Sequence, residues 1–265
     1  MTELRNKKLF LLDMDGTIYL GDEIFDGTLD FLNWVKASGG RYMFLTNNSS
    51  KSVDKYIEKL SKMGISADKA DFTTSAQATG LYLQKHNAND KIYVFGTNSL
   101  KEELSLYGLN ITDKLQSDID CLVMGFDTEL TFQKLEDASI LLGRGVDYIA
   151  TNPDWVCPTE YGYVPDCGSV AQMLFNATKR NPKFIGKPEA TMVELAVEKS
   201  GFTSDRAILL GDRLYTDIAS GYNAGIDTML MLSGESTLDD LKDFDFKPTY
   251  IYKNVRELFN YLSAE

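Results

Sequence analysis

The residues of this sequence best suited to chemistry are two carboxylates, Asp13 and Asp15, at the end of the run Leu9-Phe10-Leu11-Leu12-Asp13-Met14-Asp15-Gly16-Thr17. In extended backbone, residues two apart point to the same side, which would bring both acids close together. Like charges so placed must be offset by a cation, a shared proton or solvent, and the first two of these belong to chemistry. An Asp-Gly pair after a strand is equally an ordinary turn. The pair therefore needs support from elsewhere in the chain.

Three further polar clusters follow stretches that read as short strands. Thr46-Asn47-Asn48-Ser49-Ser50 comes after Arg41–Leu45, Lys187-Pro188 after Lys183–Gly186, and Gly211-Asp212-Arg213-Leu214-Tyr215-Thr216-Asp217 after Ala207–Leu210. Each has a plain structural reading: helix capping, a surface lysine, and a turn residue with a cap. Together, at the ends of four strands, they form a kit for phosphoryl transfer. A phosphate monoester and a carboxylate nucleophile are both anions, so a cation must lie between them. Mg²⁺ takes oxygen ligands in an octahedron, and Asp13, Asp212 and the Asp15 carbonyl can supply protein ligands, with Asp217 holding a metal-bound water. Lys187, the Thr46 hydroxyl and N–H groups at a helix start would meet the remaining charge. Carboxylate attack divides one displacement into two through an aspartyl phosphate. Asp15 can give a proton to the leaving alkoxide and later take one from water, help worth about 10² to 10⁴ in rate.

The elements that must position these groups alternate. Leu9–Leu12 reads as a strand buried on both faces. A helix over Thr28–Lys36, a strand over Arg41–Leu45, a helix presenting Val53, Tyr56, Ile57 and Leu60, a strand at Phe72–Thr74 and a helix over Ser75–Gln84 follow. The alternation restarts at Lys91, with strands over Ile92–Phe95, Cys121–Phe126 and Tyr148–Thr151 and helices over Ser99–Tyr107 and Phe132–Leu142. Asn152–Gly168, rich in proline and aromatic residues and without periodicity, reads as an ordered loop of the kind that is often functional. Helices over Ser169–Thr178, Glu189–Ser200, Ile218–Ala224 and Val255–Leu262 and a strand over Thr228–Leu232 complete the chain. This is an α/β pattern with a parallel sheet, in which ligands bind beyond the carboxyl ends of the strands.

A chain of 265 residues has room for one large or two moderate domains. The net charge of -12 argues against nucleic acid or an acidic membrane surface as partner. Cys121, Cys157 and Cys167 have neither zinc-site spacing nor the even number of a disulfide scaffold, as expected for a cytoplasmic protein. No signal peptide or membrane-length apolar run is expected. The single histidine, His86, lies in a polar Gln84–Asp90 segment read as a loop, which leaves Ser-His-Asp and Cys-His chemistry without support.

The runs Asp13-Met14-Asp15-Gly16-Thr17, Thr46-Asn47-Asn48, Gly186-Lys187-Pro188 and Gly211-Asp212 to Asp217, in that order, resemble the four motifs of the haloacid dehalogenase superfamily of phosphatases. Their spacing resembles the NagD-type or nitrophenylphosphatase branch. The resemblance implies a Rossmann-like parallel-sheet core over 1–79 and 183–265, with a large α/β cap inserted over 80–182. It also implies Mg²⁺ held by Asp13, the Asp15 carbonyl and Asp212, with Asp217 behind them. Asp13 would be the nucleophile, Asp15 the general acid and base, and Thr46, Asn47, Asn48 and Lys187 the phosphate and substrate contacts. Tyr19-Leu20-Gly21 would lie in a small flap. The Asn152–Pro158 loop would face the site, making Asp154 and Cys157 specificity candidates, although Cys157 reads equally well as a packing residue.

The expected activity is Mg²⁺-dependent hydrolysis of small phosphate esters such as sugar phosphates, nucleotides and p-nitrophenyl phosphate through a phosphoaspartyl intermediate. A phosphotransferase or phosphomutase is the alternative within the superfamily. A phospho-aspartate signalling module would need neither Asp15 nor an inserted domain, and a dehalogenase would not need a proton donor. The expected partner is a small-molecule phosphate ester, with no nucleic acid and no membrane; a homo-oligomer is left open.

Overall fold

A strand whose every side chain is apolar needs neighbours on both edges and cover on both faces. The Leu9–Leu12 run has them: all four of its residues are fully buried. The computed structural model describes residues 4–159 and 162–264. In chain order the strands are β1 (Leu9–Leu12), β2 (Tyr19–Leu20), β3 (Glu23–Ile24), β4 (Arg41–Thr46), β5 (Phe72–Thr74), β6 (Lys91–Phe95), β7 (Asn110–Thr112) and β8 (Cys121–Met124). They continue with β9 (Asp147–Ala150), β10 (Val156–Thr159), β11 (Gly162–Pro165), β12 (Lys183–Phe184), β13 (Ala207–Gly211), β14 (Asp227–Met231) and β15 (Tyr250–Tyr252). The α-helices are α1 (Thr28–Ala37), α2 (Val53–Lys62), α3 (Ser75–His86), α4 (Asn98–Ser105), α5 (Phe132–Arg144), α6 (Cys167–Thr178), α7 (Thr191–Ser200), α8 (Ala219–Asn223) and α9 (Val255–Ser263).

The chain divides into two compact units. The first holds the described residues through Thr46, Val53–Thr73 and those from Lys187 on, and the second holds Asn47–Ser52 and Thr74–Gly186. In the first unit a six-stranded sheet runs in the order β15-β14-β13-β1-β4-β5. The pairings of β1 with β13 and β4, of β13 with β14 and of β14 with β15 are all parallel. Phe10 meets Phe31 of α1 edge-on at 5.4 Å, and α1 packs against α9. Across the sheet, α7 buries Met192, Val193 and Ala196. The α/β reading, with its parallel central sheet, describes this unit well.

The second unit has its own parallel sheet, β12-β9-β8-β6-β7. Tyr93, Phe95, Leu122 and Met124 of this sheet form one apolar cluster with Leu141 and Leu142 of α5 and Leu174 of α6. Three sequence expectations are corrected. Asn152–Gly168 is not simply a loop: it contains the antiparallel β10–β11 hairpin, pairing Val156 with Pro165 and Cys157 with Val164, and its last two residues open α6. Its prolines hid the strands, yet a two-stranded ribbon is all edge and tolerates them. His86 is not in a loop but ends α3, its ring stacked on Tyr82 one turn earlier at 4.4 Å. The helix expected from Ile218 begins earlier, as a π-helical turn over Leu214–Ile218. Among the described residues, no helix is long and apolar enough to cross a membrane.

Candidate active site

Two neighbouring strands deliver the acids. The β1 pairing runs one residue past the strand, since the Asp13 N–H donates to the Leu210 carbonyl at 2.9 Å. Next to it β13 ends at Gly211, directly before Asp212. The π-helical turn then brings Asp217 back over the strand end, where its carboxylate accepts the Arg213 N–H at 3.2 Å. Only glycine serves at 211, because a Cβ there would lie 2.2 Å from the Cβ of Asp217. On the other side of β1, β4 ends at the buried Thr46.

Lys187 reaches the acids by a different route from the one its sequence suggests. The strand before it, β12, pairs with β9 in the second unit, so Lys187 does not follow a strand of the sheet that carries Asp13. It opens instead the segment leading to α7, across a cis peptide to Pro188. Its ammonium donates to Asp13 Oδ1 and Asp217 Oδ1, each at 2.6 Å, and to the Leu45 carbonyl at 3.4 Å.

Carboxylate oxygens of Asp13, Asp212 and Asp217 all lie within 4.8 Å of one another. Lys187 pairs with two of these three acids, and the Arg213 charge that also acts on Asp212 is itself paired with Glu235 at 2.9 Å, so the cluster is short of positive charge. Lys187, Asp212 and Asp217 are 3%, 3% and 1% exposed. Burial pushes the Asp13 carboxyl up to about 8; Lys187 opposes the shift, and Asp217 and Asp212 add to it. Burial likewise raises Asp212 to about 6, with Asp217 adding and the Glu235 N–H opposing. Burial works against the Lys187 ammonium, yet Asp13 and Asp217 outweigh it and hold the lysine charged above its ordinary range.

A divalent cation fits this deficit. Asp212 Oδ2 accepts the Glu235 N–H at 2.8 Å, but Asp212 Oδ1 is buried with no hydrogen-bond partner. Such an atom is costly unless something positive meets it. Two glycines shape its surroundings: a Cβ would come within 2.5 Å of Asp212 Oδ2 at Gly16 and within 2.1 Å at Gly234. Gly234→Ala is therefore expected to displace Asp212 as a whole, because the new methyl group would also lie 2.5 Å from the Asp212 Cβ, and in protein that a thermal melt shows to be folded it should weaken divalent-ion binding by about tenfold or more, the effect typical of disturbing a ligand's support. Calorimetric titration with Mg²⁺ measures this, and an unchanged affinity would contradict the role given to Asp212.

The remaining candidates divide by unit. Asp15 is exposed, because extended strand ends at Leu12 and the chain turns at Gly16, whose φ is +86°. Its backbone bridges Tyr19 in the small β2–β3 hairpin region, and its carboxylate adds to burial in pushing the Tyr19 phenol well above its ordinary range. Asn47, Asn48, Asp154 and Cys157 all belong to the second unit. The Asn47 carbonyl accepts Ser75 Oγ–H at 2.6 Å, and Asn48 Oδ1 accepts the Ser50 N–H and hydroxyl at 2.9 and 2.8 Å. Asp154 Oδ2 accepts from the Asn152 amide at 3.1 Å, and Cys157 sits half-buried in β10. Sequence reasoning missed Ser233-Gly234-Glu235. Ser233 Oγ–H donates to the Gly16 carbonyl at 2.8 Å. These residues follow the C-terminal end of β14, so the strand-end rule applied to the Thr228–Leu232 strand could have found them.

Comparison with known proteins shows the family. Residues 10–110 match a family model described as haloacid dehalogenase-like hydrolase, and residues 184–258 match a HAD-hydrolase-like model. The chain is 35% identical over 254 residues to an acid sugar phosphatase of Staphylococcus aureus, covering 96% of this chain and 97% of that protein. Its structure is similar to that of the 4-nitrophenylphosphatase of Thermotoga maritima, with a TM-score of 0.92, 40% identity, and 98% and 99% of the two chains covered. It is also similar to NagD from Escherichia coli, with a TM-score of 0.87, 31% identity, and 95% and 98% covered.

Proposed function

This chain belongs to the haloacid dehalogenase-like hydrolases, in the NagD and nitrophenylphosphatase branch, and is a phosphatase; on that premise we propose that it hydrolyses small phosphorylated metabolites, with Mg²⁺, through an aspartyl phosphate on Asp13. The observation that carries the reading is the Lys187 ammonium shared at 2.6 Å between Asp13 and Asp217, with Asp212 completing an acid cluster that remains under-neutralised.

Asp13, Asp212 and the Asp15 carbonyl would hold Mg²⁺, with Asp217 behind them; the ion would supply charge neutralisation between the attacking carboxylate and the phosphate dianion. In the first half-reaction an Asp13 carboxylate oxygen attacks phosphorus, the bond from phosphorus to the ester oxygen breaks, and Asp15 gives its proton to the departing oxygen. In the second, water attacks the same phosphorus while Asp15 takes a proton, and inorganic phosphate leaves as the Asp13 carboxylate is restored. Lys187 orients Asp13 and places a fixed positive charge beside the transferring group, where Thr46 adds a hydroxyl and Asn47 an amide. The unit formed by Asn47–Ser52 and Thr74–Gly186 takes the role of a cap, with Asp154 and Cys157 as candidates for selecting the alcohol part of the substrate.

Turnover of p-nitrophenyl phosphate should disappear with a chelator and return with Mg²⁺, and a panel of sugar phosphates and nucleotides would then rank natural substrates. Retention of turnover after exhaustive chelation would contradict the metal assignment. A pH dependence follows from the same cluster. Without metal, the Asp13 carboxyl is raised from the ordinary carboxylate range to about 8, so its contribution to stability is full below that ordinary range and is lost as pH rises towards 8. The ionised Asp13 and Asp212 would hold Mg²⁺, and the charge it would supply would offset this loss. The Mg²⁺-induced rise in melting temperature should accordingly be larger at pH 8 than at pH 5; equal rises at the two pH values would show that the acids do not release protons to the ion.

A further inference from the structure

Within the second unit, a line of buried polar groups runs through residues given no part in the chemistry. Ser49, Thr151 and Asn152 are 1%, 0% and 0% exposed. The Phe126 N–H donates to Ser49 Oγ at 3.0 Å, and Ser49 Oγ lies 3.0 Å from Thr151 Oγ1. Thr151 Oγ1–H donates to Asn152 Oδ1 at 2.8 Å, and the Asn152 amide donates to Asp154 Oδ2 and Asp166 Oδ1, both at 3.1 Å. The two ends fix every direction. The Thr151 proton is committed to Asn152, so Ser49 must donate to Thr151, and the chain polarises one way toward two carboxylates. Hydrogen bonds aligned in this manner reinforce each other and hold their members in one arrangement.

Two chain crossings between the units meet this line. Asn47 follows Thr46 at one crossing and lies two residues before Ser49; Gly186 precedes Lys187 at the other. The Gly186 N–H donates to the Thr151 carbonyl at 2.8 Å. A Cβ on Gly186 would lie 2.5 Å from that carbonyl oxygen and 2.6 Å from Asn47 Oδ1, so the Asn47 side chain, Thr151 and Gly186 occupy one spot with no room for another methyl group. Four fully or nearly buried residues thus fasten, side by side, the segments covalently attached to Thr46 and Lys187.

We propose that Ser49, Thr151 and Gly186 form a clasp that sets the position of the two phosphate-binding crossings, and that these three are positioning residues for phosphoryl transfer. The inference rests on the assignment of Thr46, Asn47 and Lys187 as phosphate contacts. Thr151→Val keeps shape but removes the hydroxyl relay, so it should raise both KM for p-nitrophenyl phosphate and the inhibition constant of inorganic phosphate by about tenfold, within the range expected when positioning is loosened. Thr151→Ser retains the hydroxyl and should stay near the parent in both. Ser49→Ala should act like Thr151→Val and provides the test if valine at 151 impairs folding, which a thermal melt checks. Phosphate inhibition is read because loss of stability alone would leave it unchanged in the folded fraction. Lys187→Met, assayed in parallel by phosphate protection against thermal unfolding, should lose protection. If it does, and Thr151→Val and Ser49→Ala both bind phosphate as the parent does, the clasp is wrong and the phosphate-contact reading stands. If Lys187→Met keeps full protection, both fall together.

Discussion

Asp13→Asn is expected to remain folded and to lose turnover by about 10⁴-fold or more, the scale on which removing a nucleophile acts. The amide keeps the shape of the side chain but cannot attack phosphorus as an anion, so neither half-reaction has a starting point. The accompanying stability change separates this outcome from simple damage. Asp13 is one of three clustered acids, two of which share Lys187, and burial already disfavours its charge. Replacing it with a neutral group should therefore leave the metal-free melting temperature at pH 8 equal to the parent's or above it. Full activity in this variant would remove the nucleophile assignment, and a large fall in melting temperature would show that the carboxylate is mainly structural.

Asp15→Asn separates the two half-reactions. Nitrophenolate is a weakly basic leaving group and departs without a proton, so with p-nitrophenyl phosphate the first step should survive. The second step, which needs a base to activate water, should slow by about 10² to 10⁴. Rapid mixing should show a burst of about one nitrophenolate per site followed by a slow phase. A sugar phosphate, whose alkoxide does need protonation, should show slowing without a burst. The exposed Asp15 side chain suits a group that exchanges protons with solvent between steps. A linear time course at the parent rate with both substrates would exclude Asp15 as the acid and base.

Much of this arrangement was legible in the sequence because buried parallel strands advertise themselves. Leu9–Leu12, Tyr42–Leu45 and Ala207–Leu210 are continuous apolar runs, and the polar residues after them mark the edge where a ligand can bind. What escaped depended on pairing partners that composition does not encode. The two residues of β12 give no sign of which sheet they join, so Lys187 seemed to follow a strand of the Asp13 sheet when it does not. The return of Asp217 over β13 depends on a π-helical turn for which Leu214-Tyr215-Thr216 carries no distinctive signal. The β10–β11 hairpin was masked by its prolines, and β7 and β15 are three-residue edge strands too short to show alternation. The passage of the chain between units directly after Thr46 is marked by no change of composition.

The most direct test of the central claim is peptide mass mapping of the protein quenched in acid during turnover of p-nitrophenyl phosphate with Mg²⁺, using the slowed Asp15→Asn variant to accumulate the intermediate. The account requires one phosphoryl group, carried on the peptide that contains Asp13 and absent when Asp13 is also replaced by Asn. A phosphoryl group on any other residue, or steady turnover with none detectable on Asp13, would contradict it.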